Sequence, residues 1–159
     1  MKKMNWKMAV MALGILILAV SCEKEPEPEE ESTDLSGELT TDRTLKSGMS
    51  YNLSGGVHVK PGVTLTIEPG VIIVAKDDDV VDYILVEQGG KIDARGTATN
   101  PVVMTSERKE AGAWGGVHIC GLAPINVTGT TSKSEIGDAL YGGSNTADNS
   151  GMLSYIRLE

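Results

Sequence analysis

Four carboxylates are concentrated in one short stretch of the sequence. Asp77, Asp78 and Asp79 are consecutive, and Asp82 follows after two valines. Carboxylate oxygens are the ligands that a hard cation such as calcium prefers, so these four residues are the candidates for a metal site. Three consecutive aspartates cannot all point to one side, however, and a solvated acidic loop is the interpretation we favour. We therefore expect no cofactor, with calcium as the alternative.

No catalytic constellation accompanies this stretch. The basic residues that could abstract a proton are Lys91, Arg95, Arg108 and Lys109. The sequence places none of them beside the acidic residues. His58 and His118 stand within alternating strand patterns that turn them away from the core, and neither has a Cys or Asp partner at zinc-site spacing. The residues thus predict a protein that is not an enzyme.

Two other side chains have both a functional and a structural interpretation. Trp114 offers an aromatic face that could stack on a sugar ring, which makes it a candidate ligand-binding residue, although we favour a role in packing. Cys120 closes an apolar-alternating run, so we expect a small buried hydrophobe and not a nucleophile.

The N-terminus has the pattern of an export signal. Three lysines within residues 2–7 precede residues 8–20, which are free of charge and fewer than the roughly 20 that a spanning helix needs. Cys22 follows after Ser21, and the site resembles the lipobox of bacterial lipoproteins, with Ala19 where leucine is commoner. The resemblance implies that the Cys22 thiol takes a diacylglycerol. Plain secretion with an unmodified cysteine is the alternative.

Three segments follow from this pattern: a signal peptide at 1–21, a lipidated tether at 22–44 and a folded domain at 45–159. The tether is acidic and contains two prolines, so we expect it to be disordered. Its acidic run resembles a signal that sends lipoproteins to the cell surface, which implies an outer-membrane, lipid-anchored and surface-exposed protein. The net charge of −8 argues against nucleic acid as a partner.

The domain is predicted to be all-β. Short apolar runs are separated by glycine and proline, and no segment after residue 22 has a helical period. The predicted strands are 57–60, 63–68, 71–75, 83–87, 91–94, 102–106, 117–120 and 153–158. One set of alternating residues should face the core together: Val57, Val59, Val63, Leu65, Ile67, Val71 and Ile73.

A repeat suggests how these strands stack. Residues 59–63 and 67–71 each read as strand, Pro-Gly turn and strand, and 86–90 is a weaker copy. Successive turns of chain that stack on one another bury a continuous apolar column, which favours a solenoid. A sandwich or barrel is the alternative.

Longer motifs are similar to a known family. Residues 63–70, 84–92 and 96–106 carry the resemblance, and further matches are 114–117, 123–126 and 148–159. They resemble exported, often lipid-anchored proteins with a right-handed parallel β-helix related to the pectin lyase fold. The resemblance implies a partial β-helix, because family members usually run longer. We therefore expect an exposed apolar rung at the C-terminal end that could associate with another chain.

The sequence favours a non-enzymatic cell-envelope lipoprotein that acts as a scaffold or binding module for carbohydrate or a partner protein. The alternative comes from the resemblance, since polysaccharide lyases of this fold use acidic residues that hold calcium together with a basic residue. In that case the chain would be related to a lyase or hydrolase, or would be an inactive fragment of one.

Overall fold

The computed structural model describes residues 32–159, so the predicted signal peptide, Cys22 and most of the tether lie outside the described residues. No helix in this part of the chain is long and apolar enough to cross a membrane. The described residues form thirteen strands: β1 (Asp34–Leu39), β2 (Arg43–Leu45), β3 (Ser50–Val59), β4 (Thr64–Ile67), β5 (Ile72–Ala75), β6 (Tyr83–Val86), β7 (Lys91–Arg95), β8 (Val102–Ser106), β9 (Val117–Ile119), β10 (Ser132–Lys133), β11 (Leu140–Tyr141), β12 (Gly151–Ser154) and β13 (Ile156–Leu158).

The chain winds through three parallel faces in turn. The first face has the order β2-β4-β7-β12. The long strand β3 divides between the other two, because its first half pairs with β5 and its second half pairs with β6. The second face continues through β8 to β13, and the third through β9. Each circuit therefore adds one strand to each face, which is the architecture of a parallel β-helix.

The core fills the column between the faces. All seven alternating residues that the sequence assigned to it are buried, with Val63 the most exposed at 6%. Leu45, Ile92 and Val102 extend the same column into neighbouring rungs. Burying a side chain of this kind contributes about 1.5–3 kcal/mol, so each rung is stabilised mainly by the rungs above and below it.

The corners explain the repeat. Gly62, Gly70 and Gly89 follow the first strand of each repeat unit and have φ angles of 81°, 79° and 83°, which glycine adopts without strain. The N–H of Gly62 donates to the carbonyl of Gly89 at 2.8 Å, and that of Gly70 donates to Asn100 at 3.1 Å. The turns of successive rungs therefore stack and are hydrogen-bonded to one another.

The prediction of an all-β parallel helix is confirmed, and the sandwich and barrel alternatives are wrong, because the strands that build the stack pair in parallel with those of neighbouring rungs. Three details differ from the expectation. Strand β1 lies within residues 22–44 and β2 begins there, so strand structure begins earlier than residue 45. The predicted strand 153–158 is divided at Tyr155, which has a φ of 50°. An antiparallel hairpin, β10–β11, interrupts the last circuit.

The last described rung presents apolar side chains to solvent. Leu153 on β12 is 48% exposed, Leu158 on β13 is 62% exposed, and Tyr155 between them is 61% exposed. They line a shallow cavity of about 260 Å³. The association of this face with another chain stays a prediction.

Candidate functional site

The acidic stretch lies at a corner of the helix. It forms the β5–β6 connection, and the β8–β9 connection occupies the same corner one rung later. The Asp77 carboxylate forms an ion pair with Arg108 Nε at 3.3 Å, and the backbone N–H of Asp77 donates to the Glu107 carboxylate at 3.0 Å. The Arg108 guanidinium also donates to the carbonyl of Ala113 at 3.4 Å. These contacts join the two connections into one surface, although an exposed ion pair adds little stability.

A cleft opens between the two connections. Its volume is about 320 Å³, and its lining includes Asp78, Asp79, Arg108 and Trp114. Two exposed valines, Val80 and Val81, add apolar surface, and the side chains of this cleft thus combine an aromatic face, two carboxylates and a guanidinium. We call it the corner cleft. It brings together two of the four acidic candidates and the candidate tryptophan.

Trp114 has a structural role in the same place. Its ring packs against the hydrophobic core, and its Nε1–H donates to the carbonyl of Glu159 at 3.2 Å. The indole is therefore held at a fixed angle at the edge of the cleft. A fixed aromatic side chain loses little entropy when a ligand packs on it.

Asp82 does not belong to this cleft. It is 2% exposed, and its two carboxylate oxygens accept from the backbone N–H groups of Gly55 at 2.5 Å and Lys76 at 2.6 Å. Burial raises the pKa of the Asp82 carboxyl, although the two N–H donors act in the opposite direction. The carboxylate is thus committed to holding the start of the acidic connection against β3.

The four aspartates do not come together as a metal site. Both oxygens of Asp82 are engaged, Asp77 faces Arg108, and Asp78 accepts from the N–H of Val80 at 2.9 Å. Within residues 32–159 no group of three or more His, Cys, Asp or Glu side chains is arranged to hold a metal ion. Asp77, Asp78 and Asp79 remain exposed at the surface of the loop.

His58 takes part in a polar ladder on the third face. Its Nδ1 lies 3.0 Å from Glu87, and its Nε2 lies 3.0 Å from the Tyr83 hydroxyl. Lys60 also donates to Glu87, at 2.8 Å. Burial acts to raise the pKa of Glu87, but its hydrogen bonds to Lys60 and His58 outweigh it and lower the pKa. Because both imidazole nitrogens are engaged within the ladder, we assign His58 to the structure.

Cys120 is buried as predicted, with 2% of its surface exposed. Burial raises the pKa of its thiol, which lowers the fraction of nucleophilic thiolate. His118 faces outward, as expected, but it has a partner that the sequence did not indicate. Its Nδ1 lies 3.4 Å from the hydroxyl of Ser134 on the hairpin.

Two findings at these sites were missed from the sequence. The first is the contact of Glu107 and Arg108 with Asp77. Glu107 lies 30 positions after Asp77 in the sequence, and Arg108 follows it. The contact between His118 and Ser134 spans 16 positions. The contact of Arg108 with the acidic connection could have been predicted from the number of residues in one circuit, because that number places successive connections at the same corner.

Comparison with known proteins identifies the family. A model of the pectate-lyase-like β-helix domain matches residues 37–159. No curated protein and no solved structure gives a match. The matched segment begins within β1 and includes every later strand, so it contains the corner cleft. The chain therefore belongs to the pectate-lyase-like β-helix family.

Proposed function

We propose that the chain is an outer-membrane lipoprotein, anchored through Cys22 and exposed at the cell surface, whose β-helix binds carbohydrate in the corner cleft. The observation that carries this proposal is the lining of the cleft by Trp114, Arg108, Asp78 and Asp79. Its volume of about 320 Å³ suits one or two sugar rings.

The chemistry of the lining matches that of a sugar. A pyranose has an apolar face, which the indole of Trp114 can cover, and a ring of hydroxyls at its edge. Asp78 and Asp79 can accept from those hydroxyls, and Arg108 can donate to them. Hydrogen bonds to charged groups are stronger than neutral ones, so three such groups give both affinity and orientation.

The charge of the cleft selects among carbohydrates. Residues 77–79 carry three carboxylates, and Arg108, the basic residue in the lining of this cleft, forms an ion pair with Asp77. An acidic glycan would be repelled unless a cation intervened. The preferred ligand is therefore a neutral oligosaccharide.

We expect the full chain in detergent to bind neutral oligosaccharides, and Trp114→Ala to weaken that binding by about tenfold or more, because it removes the stacking face. Asp79→Asn is expected to weaken it by a similar factor, since it removes one charged acceptor. Titration calorimetry against a panel of neutral and acidic oligosaccharides measures both effects.

The matched control is Glu110→Gln, which removes one exposed carboxylate from the β8–β9 connection outside the cleft lining. It should bind as the unchanged chain does. Equal affinities for all four proteins would exclude the corner cleft as the binding site. Thermal unfolding of each variant separates a lost contact from a lost fold.

A lyase-related function is the second candidate, and the contact of Arg108 with Asp77 favours it, because a basic group next to carboxylates is what proton abstraction beside a bound cation requires. Cleavage of acidic glycans that needs calcium, and that Arg108→Gln abolishes, would replace the binding proposal. Binding of a glycan without cleavage would support the binding proposal.

The anchor has a test of its own. We expect the mature protein to begin at Cys22 and to carry the mass of a lipid, and protease added to whole cells should digest it. Intact mass spectrometry of the membrane fraction together with protease shaving measures both. An unmodified chain in the soluble fraction would contradict the anchor and leave the cleft proposal standing.

A further inference from the structure

A second cleft lies on the third face, beside the β10–β11 hairpin. Its volume is about 330 Å³, and its lining combines residues 117–120, in and just after β9, with Ser134 and Tyr141 of the hairpin. The base of the hairpin is fixed to the stack, because Gln88 Nε2 donates to the carbonyls of Gly121 at 3.2 Å and Gly142 at 2.6 Å. These bonds fix the position of Ser134 and Tyr141 relative to β9.

Ser134, His118 and a backbone carbonyl form a chain of hydrogen bonds in this cleft. The Nε2 of His118 lies 2.9 Å from the carbonyl oxygen of Gly115. A carbonyl can only accept, so Nε2 carries the proton and Nδ1 is left as an acceptor. The Ser134 hydroxyl, 3.4 Å away, therefore donates to Nδ1. This is the arrangement of a nucleophile, a base and a group that orients the base.

The orienting carbonyl is itself held by the rung beneath. The N–H of Gly115 donates to the carbonyl of Asp82 at 2.7 Å, and the carbonyl of Gly116 accepts from the N–H of Ile84 at 3.0 Å. His118 is fixed by the pairing of β9 with β6, where it lies opposite Leu85. The imidazole is therefore positioned by the stack, independently of Ser134.

Ser134 is positioned from the other side. Its backbone N–H donates to the carbonyl of Ala139 at 2.8 Å, which closes the turn of the hairpin. Hydrogen bonds between nucleophile and base are often long without substrate and shorten when it binds. A separation of 3.4 Å across an open cleft fits that state.

We propose that Ser134 and His118 form a nucleophile and base pair that hydrolyses acyl esters. No Asp, Glu, Lys or Arg lines the cleft, whose lining is Val117, His118, Ile119, Cys120, Ser134 and Tyr141. An uncharged ester, such as an O-acyl group on a sugar, is therefore the substrate class that the cleft accepts.

The reaction balances with water as the co-reactant. The Ser134 oxygen attacks the ester carbonyl while His118 Nδ1 takes the hydroxyl proton, and the ester C–O bond breaks as that proton passes to the leaving alcohol. Water then gives a proton to Nδ1 and attacks the acyl carbon. The Ser134 oxygen leaves with the proton, and the carboxylic acid is released. Only these two side chains transfer protons.

The lining of this site shares no residue with that of the corner cleft, although Gly115, whose carbonyl orients His118, borders that cleft. The proposal does not depend on carbohydrate binding there. It also departs from the expectation that the protein is not an enzyme. The sequence showed no constellation because the serine lies in a segment rich in glycine and serine and the histidine in a distant strand.

Labelling with a fluorophosphonate probe tests the proposal on the full chain in detergent. The probe forms a bond from phosphorus to an activated serine oxygen and releases fluoride. We expect an adduct on Ser134, located by tandem mass spectrometry, and a labelling rate at least 100-fold lower in His118→Gln, which lacks the base. The chain should also hydrolyse p-nitrophenyl acetate, and Ser134→Ala should not.

Ser132→Ala is the matched control, because Ser132 lies on the same hairpin but does not line the cleft. It should be labelled at the rate of the unchanged chain. His118→Asn provides a second variant that keeps a polar group, in case the glutamine variant unfolds. Absence of an adduct at Ser134, or equal labelling rates in folded His118 variants, would overturn the proposal.

Discussion

Replacing Asp82 with alanine is expected to lower the free energy of unfolding by about 3 kcal/mol, as measured by urea denaturation. The carboxylate is 2% exposed and accepts two backbone hydrogen bonds, from Gly55 and Lys76. Its removal takes the acceptor away from the N–H of Gly55 and leaves that of Lys76 with only its bond to the carbonyl of Leu53, and it opens a space beneath the β5–β6 connection. The same contacts hold the acidic connection at the edge of the corner cleft, so the variant should also bind carbohydrate less tightly.

Asp79→Ala is the control for this effect. Asp79 belongs to the same connection, but it is exposed, and the substitution should change stability by less than about 0.5 kcal/mol. Equal losses in the two variants would mean that the general acidity of the loop, and not the buried carboxylate, stabilises it.

The contribution of Asp82 to the free energy of unfolding should change with pH in a direction that a surface aspartate would not show. Burial raises its pKa in the folded state, so in the window just above the ordinary pKa of aspartate the folded chain keeps a proton that the unfolded chain has lost. The contribution of Asp82 to stability is therefore full below that window and falls as the pH rises through it. Asp82→Asn, which does not titrate, should lack this decrease.

The sequence predicted the stack well because its core obeys a local rule. Val57, Val59 and Leu65 alternate with glycine or polar residues, and alternation in a strand assigns each residue to a face whatever lies above or below it. The Pro-Gly corners are equally local, since they depend on the φ angle of one glycine. These features specify a rung before its neighbours are known.

The features that the sequence missed depend on neighbouring rungs. Strand β1 has only two buried apolar residues, Leu35 and Leu39, among polar neighbours, so its acidic surroundings indicated a tether. It becomes a strand because β3 supplies a partner. The bond from Asp82 to Gly55 likewise joins groups 27 positions apart. No pattern within one rung contains that information.

The same reason explains why the site candidates were only partly right. Asp78, Asp79 and Trp114 were chosen by residue type, and folding places them in one cleft. Asp82 is also an aspartate, but its side chain is buried and accepts hydrogen bonds from backbone N–H groups, so it does not line the cleft. Residue type thus identified groups with useful chemistry, and the register between rungs decided which of them share a cleft.

Replacing Gly151 with alanine is expected to detach the last rung from the stack. Gly151 begins β12, has a φ of 135° and lies opposite Ile92 in β7. A Cβ at this position would overlap the carbonyl oxygen of Ile92, a backbone atom that cannot move without breaking the pairing of the two strands. Strain of this kind costs about 3 kcal/mol or more in addition to the lost contacts.

In a solenoid this cost should stay local, because each rung contacts only its neighbours. Hydrogen exchange measures it: amides of β12 and β13 should lose protection in Gly151→Ala, while those of β4 and β7 keep most of theirs. Gly129→Ala is the matched control, since Gly129 has a φ of 99° but nothing within 4 Å of an added Cβ. It carries similar backbone strain without the collision and should leave β12 and β13 protected. Equal exchange in the two variants would show that β12 is not held against β7, and the exposed apolar rung would then have no fixed shape for a partner to recognise.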